Sequence, residues 1–228
     1  NKIWVADADG KNAVALTNEG GYSGSPRWSP DGRFIAFDFR ATNNFGVYDA
    51  FVVDAKGGKP RALTTGPGQN TRPAWSSDGR SLYFASDRSG TQQIWKIPAE
   101  GGVARQITRN GGSEAEESLD GRTLYYSRRS VPGLWSIPAD GGAETLVIPD
   151  LQWENSRNWT VMPGAIYYLF REGSRASDWT YWLKRYDVRS GVSKQAIRLG
   201  NLPIVNGRCS VSSGMQTLLC VQERRTET

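Results

Sequence analysis

The densest run of acids in the chain is Glu114, Glu116 and Glu117. Closely spaced carboxylates are what glycoside hydrolysis uses in pairs, one as acid and one as base or nucleophile. The same run also suits contact with a cation or a basic peptide, or a salt-bridged structural part on an inner strand. Other hydrolytic chemistry lacks its partners. The chain contains 0 His, which removes a Ser-His-Asp or Cys-His site and any imidazole metal ligand from these residues. Gly21-Tyr22-Ser23-Gly24-Ser25 is only part of a nucleophile elbow, with Ser25 where the last glycine belongs, and it reads as a loop. Asp7-Ala8-Asp9-Gly10 opens like a calcium loop, but Asn18 stands where the bidentate acid is required, so a hairpin turn is the better reading. Gly66-Pro67-Gly68 is followed by no helical pattern and so is no dinucleotide loop. Asn158-Trp159-Thr160 has the form of a glycosylation sequon but falls on an expected inner strand. The sequence therefore predicts no catalytic residue, no metal and no cofactor.

Charge narrows the partners. Lys and Arg number 28 against 23 acids, a net +5. No basic run exceeds the pairs Arg128–Arg129 and Arg224–Arg225, and nucleic-acid binding needs a clustered patch, so none is expected through this chain. The longest apolar stretch, Ala165 to Phe170, falls well short of the ~20 residues of a membrane span. The chain opens on Asn1 rather than Met, which reads as a processed product, an excised domain or a fragment. Two cysteines, Cys209 and Cys220, exclude a disulfide-rich scaffold and a four-Cys zinc site.

A repeat positions these residues. Trp28-Ser29-Pro30-Asp31-Gly32-Arg33 returns as Trp75-Ser76-Ser77-Asp78-Gly79-Arg80 and as Glu117-Ser118-Leu119-Asp120-Gly121-Arg122, the aspartates standing 47 and 42 residues apart. Thr160 to Gly164 and Ser212 to Met215 are worn copies of the same turn. Proline presets φ, Asp bonds its own backbone and Gly tolerates positive φ, so each copy predicts a tight hairpin between strands A and B. Strand B alternates: Ile35 and Phe37, Leu82 and Phe84, Leu124 and Tyr126, Ile166 and Tyr168, Leu218 and Cys220. Strand C carries Ile94-Trp95 or Leu134-Trp135, and a Gly-Gly turn leads to strand D. Four strands in about 40–47 residues predict an all-β propeller of about five four-stranded blades. The units cover about 1–24 in part, 25–71, 72–112, 113–156, 157–203 and 204–228 in part.

The Ser-Pro-Asp-Gly-Arg turn, the Ile-Trp pair and the Gly-Gly-x-x-Arg-x-Leu/Ile-Thr segment resemble the WD-like repeat of the TolB propeller family, shared with tricorn-type and prolyl-oligopeptidase-type propellers. The resemblance is strong over 1–148 and weaker beyond. Asn158 to Val161, Ile166 to Tyr168 and Ser210 to Leu219 are similar to the end of a bacterial group in which such a propeller follows a winged-helix DNA-binding domain. No winged helix stands in these residues, so a DNA-binding role would belong to residues outside this sequence.

In such a propeller the A–B and C–D turns share one face, and the B–C and D–A loops share the other. The short, similar turns read as structural. The variable loops are where a rigid scaffold carries function. They offer Tyr22, Arg40 and Asn44; Arg88; Arg109, with Glu114 beside it; Arg128 and Arg129; Trp153; and Arg171 and Arg175. Arginine with exposed aromatics is the composition of a protein or peptide contact. The leading expectation is a non-enzymatic protein- or peptide-binding module, the sensor half of a larger bacterial regulator. The alternative that the resemblance implies is the gating propeller of a prolyl-oligopeptidase-like peptidase whose hydrolase domain lies outside this chain.

Three structural expectations complete the reading. Trp28, Trp75, Trp95 and Trp135 should be buried within or between blades. Aligning the fifth hairpin on the first puts Ser212 opposite Met215 and makes Cys209 and Cys220 diagonal neighbours on one face, which favours free thiols over a disulfide. Counting strands allows a closed ring in which the first C–D pair joins the last A–B pair. The resemblance implies instead an arc of a larger propeller, because those two pieces belong to different blades.

Overall fold

The structure, a computed structural model, describes residues 2–17, 20–42, 46–175 and 178–200, together with the strand backbone of 209–211 and 218–220. A two-stranded sheet comes first, β1 (Trp4–Val5) with β2 (Val14–Ala15). The first four-stranded sheet follows: β3 (Gly21–Trp28), β4 (Phe34–Ala41), β5 (Asp49–Asp54) and β6 (Arg61–Ala62). The second is β7 (Thr71–Trp75), β8 (Ser81–Ser86), β9 (Gln93–Pro98) and β10 (Arg105–Gln106). The third is β11 (Glu114–Glu117), β12 (Thr123–Arg128), β13 (Val131–Pro138) and β14 (Thr145–Ile148). After a 3-10 turn at Trp153–Asn155 comes the fourth: β15 (Trp159–Met162), β16 (Ala165–Glu172), β17 (Thr180–Asp187) and β18 (Val192–Gly200). A last pair, β19 (Cys209–Val211) with β20 (Leu218–Cys220), closes the order. Each whole blade is an antiparallel meander, as the repeat requires. Among the described residues no sheet is closed, and the first and last pairs are separate two-stranded sheets, consistent with an open or partial propeller. The chain divides into two compact units: 1–124 with 137–143, and 125–136 with 144–228.

The hairpin turn is built the same way in the first three blades. Ser29 Oγ donates to Asp31 Oδ1 at 2.6 Å and accepts from the Phe34 amide, while the Arg33 amide donates to Asp31. Ser76 with Asp78 and Ser118 with Asp120 repeat the arrangement. The next residue must turn left-handed, and Gly32, Gly79, Gly121 and Gly164 do so at φ 70, 70, 71 and 68. The serine hydroxyl, and after it the arginine amide, hold all three aspartates below the usual carboxylate range.

Strand B is buried on both faces, not on the single face that its alternation suggests. Ile35 and Phe37 are buried, and so is Ala36 between them; Leu82 and Phe84 flank a buried Tyr83. The reason is blade stacking. In the first unit Ala36, Val52 and Leu63 pack against Leu82, Phe84 and Ile97 of the next blade. In the second unit Tyr125, Leu134 and Ile148 pack with Trp159, Ile166 and Tyr168.

Two expectations are corrected. Trp135 is buried and Trp75 and Trp95 are half-buried, but Trp28 is 54% exposed. Trp75 lies over Phe34 of the preceding blade and donates Nε1–H to the Arg27 carbonyl at 3.1 Å. Among the described residues before β3 there is only the β1–β2 pair, with no strands A and B to receive Trp28 in the same way. Cys209 lies directly opposite Cys220, not diagonal to it.

Leu82→Ala, at a fully buried position packed between blades, should lower unfolding free energy by about 2–5 kcal/mol. Trp28→Ala should stay within about 0.5 kcal/mol of the parent in the same urea titration, as surface substitutions do. Asp78 ionises more readily in the folded chain than in the unfolded one, so its contribution is present above the unfolded pKa and lost as pH falls through the folded one. Melting curves of the parent and Asp78→Asn should therefore differ most near neutrality and converge in strong acid.

Candidate functional site

The innermost strands carry a charged cluster that the sequence places by its prolines. Pro26 and Pro73 have no amide to donate, and the ladder slips there, between Gly24 and Arg27 in β3 and between Thr71 and Ala74 in β7. The residues before them, Ser25 and Arg72, take the left-handed backbone at φ 50 and 56, a costly conformation for residues with a side chain. The bulge aims the Arg72 amide at Asp38 Oδ2, 2.8 Å away, and Asp38 itself fits because Gly24 opposite it has no Cβ. The Arg72 guanidinium reaches Glu114 Oε1 at 3.3 Å and donates to Ser113 Oγ. Arg27 adds contacts at 3.9 Å to Glu114 and 3.7 Å to Glu116. The two guanidinium groups thus answer Glu114 and Glu116, and the Arg72 backbone amide answers Asp38; Asp38 and Glu114 are almost fully buried.

Glu114 is accordingly an inner-strand residue, not a loop residue. The alternation of β11 separates the acidic run: Glu114 and Glu116 share Arg27, while Glu117 turns the other way. Its carboxylate accepts from the Ser77 amide at 2.6 Å and from the Tyr83 hydroxyl at 2.5 Å. These are contacts to the preceding blade, so the three glutamates do not converge on one space.

Of the other candidates, Tyr22, Arg40, Arg128 and Arg171 sit near strand ends, because the strands run longer than the sequence suggests, while Arg88, Arg109, Arg129, Trp153 and Arg175 lie in the connections. In the first unit, Tyr22 of β3 and Arg40 of β4 are cross-strand neighbours, with the guanidinium 4.7 Å from the Tyr22 ring centre and 5.2 Å from that of Tyr48. Arg88 lies over Phe84 and Trp95 and donates to Asn70 and Ser86. Arg109 is exposed. In the second unit Arg128 stacks 4.1 Å from the Trp135 ring centre and pairs with Glu144 at 2.8 Å. Arg171 stacks on Trp179 and pairs with Glu154 at 3.1 Å. Trp153 is 52% exposed, and Arg129 and Arg175 are exposed. Asn44 lies outside the described residues.

One regularity was missed at the level of sequence. Arg40, Arg88, Arg128 and Arg171 each stand at or just past the end of strand B, and each covers an aromatic ring. The signal was present, an arginine recurring shortly after every strand-B hydrophobic pair, but it sits outside the motif that defines the repeat. Among the described residues no group of His, Cys, Asp and Glu has a geometry that would hold a metal ion.

Solved structures similar to this chain share its fold. TolB from Acinetobacter baumannii superposes with a TM-score of 0.76 at 20% identity, over 95% of this chain and 53% of that one. A puromycin-hydrolyzing peptidase from Mycobacterium tuberculosis gives 0.64 at 15% identity, over 89% of this chain and 34% of the peptidase. An oligogalacturonate lyase in complex with manganese gives 0.58 at 17%, over 74% of this chain and 50% of the lyase. This chain spans about half the length of the Acinetobacter protein. No curated protein sequence matches it. The sequence model of the TolB beta propeller domain matches residues 1–146, the stretch that holds the regular Ser-x-Asp-Gly hairpins. With more than half of the chain matched and the blades folded as that repeat dictates, the chain belongs to the TolB β-propeller family.

Proposed function

We propose that this chain is a non-enzymatic module that binds a protein or peptide through its strand-B ends and the loops beside them. The observation that carries this reading is Arg40. Its guanidinium is held between Tyr22 and Tyr48, no carboxylate pairs with it among the described residues, and Tyr22 is 47% exposed. A guanidinium fixed by rings keeps its hydrogen-bond donors for a partner and loses little side-chain entropy on binding. Exposed Trp153 near the Arg171–Glu154 pair gives the second unit a comparable aromatic anchor. Among the described residues no helix is long and apolar enough to cross a membrane. The role fits the sensor half of a larger regulator. The likeness to the puromycin-hydrolyzing peptidase supports a second reading, a propeller attached to a hydrolase domain. With 0 His, this chain supplies no Ser-His-Asp triad of its own.

Photo-crosslinking benzoylphenylalanine placed at Tyr22 and at Trp153 tests the assignment, with Val103, 90% exposed on a C–D turn, as the control position. The reading expects protein adducts from Tyr22 and Trp153, none from Val103, and loss of the Tyr22 adduct when Arg40→Ala is added. Adducts from Val103 alone, or from no position, contradict it. An adduct that also reacts with a fluorophosphonate serine-hydrolase probe selects the second reading.

A further inference from the structure

A cavity of about 400 Å³ opens between the first two four-stranded blades, on the side of their A–B turns and away from the strand-B ends. Its walls include Phe34 and Trp75, whose rings stack at 6.5 Å, and Val52. Asp31, Asp78 and Glu100 bring carboxylates to it. Arg61 is the one cation lining it, and that guanidinium already donates to the Ala99 carbonyl at 2.8 Å and lies 3.9 Å from Glu100.

The next blade junction holds a lysine at the equivalent place. By the repeat, Tyr83 stands at the place of Ala36, Lys96 at that of Val52, Glu117 at that of Trp75 and Asp140 at that of Glu100. There the Lys96 ammonium lies 5.0 Å from the Tyr83 ring centre and 3.3 Å from Asp140 Oδ1. At the first junction Val52, in place of that lysine, lines the cavity beside an aromatic surface and a carboxylate, supplied by Trp75 with Phe34 and by Glu100. Asp31 and Asp78 stay ionised there, because serine hydroxyls and arginine amides hold both below the ordinary carboxylate range.

We infer that this cavity is a docking site for a lysine side chain of a partner protein. The alkyl stem lies along Phe34 and Trp75, and the ammonium meets Glu100 and the turn aspartates, as Lys96 meets Tyr83 and Asp140 one blade on. Aromatic faces beside carboxylates favour a cation over a neutral side chain of equal length. The site is independent of the binding reading proposed above, since it lies on the other side of the blades.

The probe is a capped Gly-Lys-Gly peptide titrated into the protein while the Trp75 indole N–H resonance is followed, assigned by its loss in Trp75→Phe. A saturable shift is expected with the lysine peptide, and none with the norleucine peptide of the same length. Val52→Lys, which restores the arrangement of the second junction, should abolish the shift in a protein that keeps its melting cooperativity. Glu100→Gln, at a residue 96% exposed and without a role in the core, should weaken binding by about two- to fivefold, the range of an exposed ion pair, and serves if Val52→Lys fails to fold. Equal binding of the norleucine peptide, an unsaturable shift, or unchanged affinity in both variants overturns the proposal. So does saturation by butylamine without saturation by the peptide, which would make the cavity a small-amine site.

Discussion

In the second and third blades the residue that ends the inner strand reaches back to the blade before it, and the stacking of the first unit depends on that contact. In the second blade Trp75 does it with an indole laid over Phe34 and a hydrogen bond to the Arg27 carbonyl. In the third Glu117 does it with a carboxylate bound by Tyr83 and by the Ser77 amide. One contact is apolar and one ionic, yet each is made at the same place in the repeat. Burial and the adjacent Glu117 carboxylate push the Tyr83 phenol far above its ordinary range, so it remains a donor. These contacts seat one sheet on the next, and that seating buries strand B on both faces.

The same constraint separates structure from function. Ser, Asp and Gly in the turns are occupied with their own backbone, and the inner strands are locked by Arg27, Arg72, Asp38 and Glu114. What the seating leaves free is the strand-B ends, where arginines ride on aromatic rings. At the first blade junction Val52 stands where the next junction has Lys96, and a cavity opens beside it.

Much of this was legible in the sequence because the turn chemistry is local. Asp31, Asp78 and Asp120 specify their hairpins whatever surrounds them, and the strand-B hydrophobics follow at once. Contacts between blades are not local, and there the reading failed or fell silent. Trp28 matches Trp75 letter for letter, yet its burial depends on what lies before it. The acidic run at Glu114 to Glu117 looks like one cluster, but strand alternation divides it between two neighbours. Pro26 and Pro73 signalled bulges that would have moved Arg72 inward, and they went unread. Cys209 pairs directly with Cys220, a register that the worn fifth motif does not state. The proposed binding residues were reached only through composition, and they remain the least determined by pattern.

The account stands most directly on the coupling between Tyr83 and Glu117. A double-mutant cycle with Tyr83→Phe and Glu117→Ala, measured by urea unfolding, isolates it from the Ser77 contact. A hydrogen bond from a buried hydroxyl to a carboxylate is worth about 1.5–3 kcal/mol, so a coupling of at least about 1 kcal/mol is expected. Additive effects, within about 0.5 kcal/mol of zero coupling, would mean that the inner-strand residue does not hold the blades together.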